Sequence, residues 1–231
     1  MKDKKKIYIL HGWAYSTEKW KPFLEELGNA DIEVVMLKIP GLTAPLNEVW
    51  DINNYIDWLD KILRKEKDKV VLLGHSNGGL ISLSYSLKYP EKVGKLFLID
   101  STGIYHKEIY IRTKRFVFML IAKIGKKITK SHSLRKLLYK AAGEHDYEKA
   151  DRIVQKTMRN LIEVDYSQVL KNLRMPTIII WGKEDSVTPV KDGEIMHKEI
   201  MDSKLFEIIG AKHSPQHTHC KQVAEIVKNN I

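Results

Sequence analysis

Ser76 lies in Gly74-His75-Ser76-Asn77-Gly78, with a glycine two residues away on either side, directly after the apolar run Val70-Val71-Leu72-Leu73. A strand feeding so tight a turn holds the serine in a strained backbone conformation, and neighbours at that distance must lack a Cβ to leave room. The hydroxyl then projects clear of the sheet edge. Gly79 to Leu87 reads as a helix, so the amide of Asn77 sits at a positive helix N-terminus, facing any charge that develops near the serine. A Gly-rich turn whose serine only caps a helix would look the same. Chemistry requires three more parts: a base, an acid and a second oxyanion donor.

Serine is a weak nucleophile until a histidine can take its proton, and that histidine needs a carboxylate to fix its tautomer and stabilise its cation. Of nine histidines, His213 is the best placed, in Gly210-Ala211-Lys212-His213-Ser214-Pro215 after the last predicted strand. His217 and His219 stand close by as alternative bases. The spacing His213-x-x-x-His217 would also suit a metal, but no helix or acidic cluster supports one, and none is expected. For the acid, Trp181-Gly182-Lys183-Glu184-Asp185 follows a strand and points to Asp185, with Glu184 directed another way. Asp100, at the end of the strand before a long insertion, is the second choice. The order Ser76, Asp185, His213 is that of nucleophile, acid and base on a strand-to-helix elbow.

The second oxyanion donor should come from the loop after the first strand, where His11-Gly12-Trp13 is found. Gly12 lets the backbone turn inward, so that the amides of Trp13 and Asn77 converge on the oxyanion, each worth about 10² to 10³ in rate. The Trp13 ring would wall the acyl pocket.

These residues need a scaffold that collects distant loops at one edge. Six β-branched runs supply it: Ile7 to Leu10, Glu33 to Leu37, Val70 to Leu73, Lys95 to Ile99, Thr177 to Trp181 and Lys204 to Ile209. Most are nearly continuous in apolar residues, as in a parallel sheet covered by helices on both faces. Helical patterns alternate with them over Thr17 to Leu27, Ile52 to Lys65, Gly79 to Tyr89, Asp192 to Met201 and Gln222 to Asn229, which predicts an α/β fold with right-handed crossovers. The connection between Asp100 and Thr177 is too long for a crossover. Helical spacing recurs within it at Lys107 to Ala122, Ser133 to Ala142, Tyr147 to Arg159 and Tyr166 to Leu173, an insertion positioned to serve as a lid.

The 231 residues suit one α/β domain with that insertion. A single cysteine, Cys220, excludes an internal disulfide framework and fits a reducing, cytoplasmic compartment. The apolar run Ile7 to Leu10 is too short for a secretory signal, and Phe116 to Ala122 is too short for a membrane span. The net charge of +10 is local: residues 107 to 140 hold eleven Lys and Arg against the single acid Glu108, while the rest of the chain balances.

Strand-His11-Gly12-Trp13, the Pro40-Gly41 loop, Gly74-His75-Ser76-Asn77-Gly78-Gly79, Trp181-Gly182-x-x-Asp185 and Gly210-x-x-His213 together resemble the α/β-hydrolase fold family over nearly the whole chain. The resemblance implies a mostly parallel six-stranded sheet lacking the first two strands of larger members. It implies a core of residues 1–101 and 174–231, a helical cap at 102–173, a triad of Ser76, Asp185 and His213, and no cofactor. Within the family the chain is similar to small carboxylesterases, including the pimeloyl carrier-protein methyl-ester esterase group, which also place tryptophan after His-Gly. It departs from dehalogenases and epoxide hydrolases, which need aspartate at the position of Ser76.

The expected reaction is therefore hydrolysis of a carboxylic ester, or a thioester, through an acyl-enzyme. The same triad could serve carbon–carbon bond hydrolysis or acyl transfer, and the same fold could act as a ligand-binding receptor that turns over little. Phe116, Phe118 and Met119 lie in an apolar patch flanked by Arg112, Lys114, Arg115 and Lys123, and are expected to line the acyl pocket. Such a cap could meet an anionic small ester, an acidic carrier protein or an anionic membrane surface, or it could simply be a solvated face. It carries no recognisable nucleic-acid-binding motif.

Overall fold

The computed structural model describes residues 5–28, 32–105 and 144–231. The helices expected at Lys107 to Ala122 and Ser133 to Ala142, the residues Phe116, Phe118 and Met119, and the basic segment 107–140 lie outside the described residues.

Six strands form one sheet in the order β2-β1-β3-β4-β5-β6: β1 Lys5–Leu10, β2 Ile32–Met36, β3 Val70–His75, β4 Val93–Ile99, β5 Thr177–Gly182 and β6 Ser203–Ile208. Every pairing is parallel, so the sheet is wholly rather than mostly parallel. The physical reason is that each strand is followed by a crossover long enough to return to the same edge. Alternation along the strands divides the core in two. Tyr8, Leu10, Leu72, Leu98 and Ile179 face one layer, while Ile7, Ile9, Leu73, Phe97, Ile178 and Ile180 face the other.

Seven α-helices occur among the described residues: α1 Lys21–Gly28, α2 Ile52–Leu63, α3 Asn77–Lys88, α4 Glu144–Ile162, α5 Val190–Glu199, α6 Pro215–Thr218 and α7 Cys220–Asn230. Phe23 and Leu27 of α1 pack with Val223, Ala224 and Val227 of α7 on one face of the sheet. Tyr55, Ile56 and Leu59 of α2, Leu80, Ile81 and Leu83 of α3 and Met196 of α5 cover the other. α2 starts where it does because Asp51 and Asn54 form a reciprocal cap: Asp51 Oδ1 accepts the Asn53 and Asn54 N–H groups at 2.8 and 3.1 Å, and Asn54 Oδ1 accepts the Asp51 N–H at 2.9 Å.

The expected helix at Tyr166 to Leu173 is absent, and only a single 3₁₀ turn at Leu170–Asn172 is present. The Tyr166 N–H donates to the Gly103 carbonyl at 2.8 Å, and beyond one i−4 bond from the Leu170 N–H to the Tyr166 carbonyl at 3.1 Å the Val169, Asn172 and Leu173 N–H groups close i−3 bonds. α4 is tied to the core by the backbone of Trp50, whose N–H donates to Thr157 Oγ1 at 2.9 Å and whose carbonyl accepts from Asn160 Nδ2 at 3.1 Å. No described helix is long and apolar enough to cross a membrane.

Candidate active site

The elbow between β3 and α3 has the backbone that its glycines require. Ser76 adopts φ 53° and ψ −120° immediately before the first helical residue, Asn77, a region that costs of order 1–3 kcal/mol for a residue with a Cβ. The turn survives because its backbone is fastened: the Ser76 N–H donates to the Ile99 carbonyl at 3.0 Å, and the Ser76 carbonyl accepts from the Leu80 and Thr102 N–H groups, each at 3.2 Å. A Cβ on Gly74 would run into the Gly78 carbonyl, and one on Gly78 into that of Leu10. β3, α3 and the end of β1 therefore meet in backbone contact, which leaves the Ser76 side chain only one way to point.

The hydroxyl meets His213. Ser76 Oγ lies 3.0 Å from His213 Nε2, and His213 Nδ1 lies 2.7 Å from Asp185 Oδ2. With the ring proton on Nδ1, the imidazole donates to the carboxylate and offers its Nε2 lone pair to the serine. The Asp185 side chain is wholly buried and that of His213 is 11% exposed. Two backbone donors, Val187 N–H at 2.7 Å and Thr188 N–H at 3.2 Å, hold Asp185 Oδ1, and the Thr188 hydroxyl donates to Oδ2 at 2.7 Å. The carboxylate thus cannot rotate without breaking several bonds. Glu184, its neighbour, is exposed.

Of the alternative bases, His217 packs edge-on against Trp20 with ring centroids 5.3 Å apart, and burial drives its pKa down to about 4. His219 Nδ1 pairs with Thr218 Oγ1 at 2.9 Å. His213 alone of the three hydrogen-bonds Ser76 among the described residues. Neither does the spacing His213-x-x-x-His217 gather ligands. The one described grouping whose atoms lie close enough to share a cation is His75, Asp100 and His213, and both nitrogens of His213 are already engaged by Ser76 and Asp185.

The loop after β1 abuts the elbow. A Cβ on Gly12 would sit 2.7 Å from His75 Nδ1 and 2.9 Å from the Ser76 Cβ, so the backbone entering Trp13 runs directly beside the serine. His11 holds this loop, its Nδ1 on the Gly12 carbonyl at 2.7 Å and its Nε2 on Thr43 Oγ1 at 2.8 Å. Asn77, as the first residue of α3, leaves its N–H outside the helical ladder on the same side. Trp13 packs partly buried against the core, with its indole nitrogen buried and without a hydrogen-bond partner.

Three features were beyond sequence reasoning: the Thr188 hydroxyl on Asp185, the short helix α6 directly after His213, and the neutral histidine beneath it. The His75 ring lies 5.1 Å from that of His213. Burial, and after it the nearby His213, His217 and His11, hold His75 well below the ordinary imidazole pKa. An uncharged ring there places no like charge beside His213. The only available signal was the position of His75 next to Ser76.

The sequence pattern of the family described as "Serine aminopeptidase, S33" matches residues 1–217 of this chain. The pimeloyl-[acyl-carrier protein] methyl ester esterase of Legionella pneumophila (strain Paris) is 23% identical over 92% of this chain and 89% of its own length. The biotin biosynthesis bifunctional protein BioHC of Teredinibacter turnerae is 23% identical over 96% of this chain; the chain spans only 44% of that protein. The crystal structure of a lipase-esterase related protein from Clostridium acetobutylicum superposes with a TM-score of 0.74 at 21% identity, covering 100% of this chain and 96% of that one, which shows a common fold. With the match running from before β1 to beyond His213, this chain belongs to the serine aminopeptidase family of α/β-hydrolases.

Proposed function

We propose that the chain is a cofactor-independent serine esterase that cleaves a carboxylic ester through an acyl-enzyme. The observation that carries this reading is the unbroken run of hydrogen bonds from Asp185 through His213 to Ser76. Ser76 Oγ attacks the ester carbonyl carbon while His213 Nε2 takes the hydroxyl proton, and Asp185 stabilises the imidazolium. The carbonyl π electrons move onto oxygen, facing the N–H groups of Trp13 and Asn77. Collapse breaks the bond to the alkoxy oxygen, which leaves as the alcohol with the proton from His213. Water, deprotonated by His213, then attacks the acyl carbon and releases the acid, and Ser76 regains its proton.

The substrate class is the acyl ester of a short alcohol. The relatives named as methyl ester esterases of a carrier-bound pimeloyl group support it. The eleven basic residues between 107 and 140 favour an acidic carrier protein as the bearer of the acyl chain. A fluorophosphonate probe tests the first claim: it should label Ser76 in the wild type and fail with Ser76→Ala. p-Nitrophenyl esters from acetate to dodecanoate, with a thioester alongside, then grade acyl length and leaving group. Absence of labelling in a well-folded protein refutes the esterase and leaves a ligand-binding role. For the carrier, kcat/KM toward a carrier-bound ester should fall steeply as salt rises while that toward p-nitrophenyl acetate does not. Equal salt dependence removes the carrier.

A further inference from the structure

Asp100 follows β4 with φ 41°, in the left-handed region where, glycine aside, aspartate and asparagine are the residues most often found. Its side chain is completely buried. Its N–H donates to the Ile180 carbonyl at 3.0 Å, and the Thr188 hydroxyl oxygen stands 3.2 Å from its carbonyl. Oδ1 accepts the Gly182 N–H at 2.8 Å. Oδ2 is buried and makes no hydrogen bond. The Ser214 N–H is close enough to act on the carboxyl as a hydrogen-bond donor that lowers its pKa, but it is shared with the Lys212 carbonyl, to which it donates at 2.8 Å.

Holding Gly182 would need one oxygen, which asparagine also supplies. The second is a buried acceptor without a donor, a costly feature, and its surroundings say what it could do. An Asp100 carboxyl oxygen and ring nitrogens of His75 and His213 all lie within 4.8 Å of one another. β4 and β5 are sheet neighbours, so the turns that follow them bring two carboxyl groups, Asp100 and Asp185, to one imidazole.

Two such groups cannot both ionise cheaply. Asp185 takes the donors: His213, the Thr188 hydroxyl and two backbone N–H groups. Burial first, and then the charge of Asp185, hold the carboxyl of Asp100 well above the usual carboxylate range. The third titratable group facing it, His75, is uncharged for the reasons given above. Removing the charge of Asp185 removes one of the two forces that keep Asp100 protonated.

We propose that Asp100 is a reserve carboxylate, a positioning residue that takes over the orientation of His213 when Asp185 is lost. This rests on the esterase reading above. In the absence of the Asp185 charge, Asp100 gives its proton to solvent and, from a carboxyl oxygen already within 4.8 Å of a His213 ring nitrogen, moves in to accept the ring N–H.

The test is a double-mutant cycle with Asp185→Asn, Asp100→Asn and the pair, read as ester turnover and as the rate of Ser76 labelling between pH 5 and 9.5. Asparagine tolerates the backbone of residue 100 and still accepts the Gly182 N–H. Asp185→Asn should lose about 10²-fold, against about 10⁴-fold where a triad has no second acid. Adding Asp100→Asn should cost a further 30-fold or more, yet under fivefold in the wild-type background. The residual activity of Asp185→Asn should climb with pH as Asp100 sheds its proton, and the double variant should lack that climb. A purely structural role for Asp100 would not produce this pH dependence. Equal effects of Asp100→Asn in both backgrounds, or a flat profile, overturn the proposal. Should Asp100→Asn not fold, Asp100→Gly, which also accepts φ 41°, replaces it in the same cycle. An additive cycle in an active wild type sinks the reserve role alone, whereas a wild type that neither labels nor turns over sinks the esterase reading as well.

Discussion

At the carboxyl ends of the strands three non-glycine residues hold positive φ, Ser76 at 53°, Asp100 at 41° and Ser214 at 142°, and at the amino ends no described residue does. The same edge keeps buried polar atoms without hydrogen-bond partners, among them Trp13 Nε1, Asn77 Nδ2, Asp100 Oδ2 and Gln216 Oε1. At the amino edge the polar groups are paired and reach solvent: Lys6 with Glu66 at 3.0 Å, and Lys92 with Asp60 at 2.6 Å. Both edges belong to one sheet with one core. Strain and unsatisfied polarity therefore mark where the fold gives up stability to hold groups for use, and their absence marks where it does not.

The largest effect expected of that difference is on His213. On the proposed mechanism, His213→Ala should lower ester turnover by more than 10³-fold with little change in thermal stability, since the ring would act as the base and is not part of the core. A loss under threefold would erase the distinction between the edges.

Gly12→Ala comes next. Its Cβ would press on His75 and Ser76, so either the loop bearing Trp13 or the serine must shift. A displacement of that size beside the oxyanion should cost about 10- to 100-fold in kcat with a smaller change in KM. Retention of more than half of wild-type kcat would mean that the Trp13 amide does not serve the oxyanion.

How far the sequence discloses these features follows the range of the interactions. The strands are legible because β5 is buried at every position, so Ile178 to Trp181 reads as an unbroken apolar run. The elbow is legible because its sequence pattern, a glycine two residues either side of the serine, lies within five consecutive residues, although the contact that forces Gly78 comes from Leu10 of β1. α3 begins two residues earlier than helical propensity suggests, at Asn77, since Gly78 and Gly79 are tolerated in a helix whose first turn is wedged against β1 and β3. Thr188 carries no local sign of its role, and Asp100 shows only its place at a strand end, which makes it the second choice of acid. Each acts through a neighbour that only the β4–β5 pairing brings near. The segment Tyr166 to Leu173 instead closes mostly i−3 bonds, with its first N–H on the distant Gly103 carbonyl, a pairing that local spacing does not reveal.

The two edges should also part in their response to acid. His217, lowered to about 4 by burial, lies on the carboxyl edge. Its folded pKa is below the unfolded value near 6.5, so the unfolded state binds the extra proton and stability is lost as pH falls from about 6.5 toward 4. At the amino edge the hydrogen bond from Tyr8 lowers Glu66 and that from Lys92 lowers Asp60, so their contribution is lost only as pH drops below about 4.5. Asp100, raised by burial, has the opposite sign and gains stability in acid, so the measurement must be a difference. His217→Phe, which keeps an aromatic edge on Trp20, should flatten the decline of Tm between pH 6.5 and 4.5. Discounted for partial exposure, the gap amounts to about 1 kcal/mol, or about 2–4 °C. Parallel profiles for the two proteins would show that this histidine does not titrate differently on folding.

The smallest effect belongs to the amino edge itself. Lys95 donates to the Asn230 carbonyl beside Lys5, which bonds the Ile231 carbonyl at 2.7 Å, and Lys204, which bonds Asn230 Oδ1 at 3.4 Å. Burial, then the charges of Lys5 and Lys204, lower the pKa of Lys95. A lysine depressed in the folded state destabilises it below the folded pKa, and the penalty fades as pH rises toward the unfolded value near 10.4. Lys95→Met keeps the stem and removes the cation, at the cost of one carbonyl's donor. The two terms offset each other, so stability at pH 7 should stay within about 1 kcal/mol of wild type, with kcat within twofold. The variant should lose ground relative to wild type as pH climbs above 9, because the wild type then sheds its penalty. A fivefold fall in kcat would mean that the amino edge reaches the chemistry, and the contrast between the two ends of the sheet would fail.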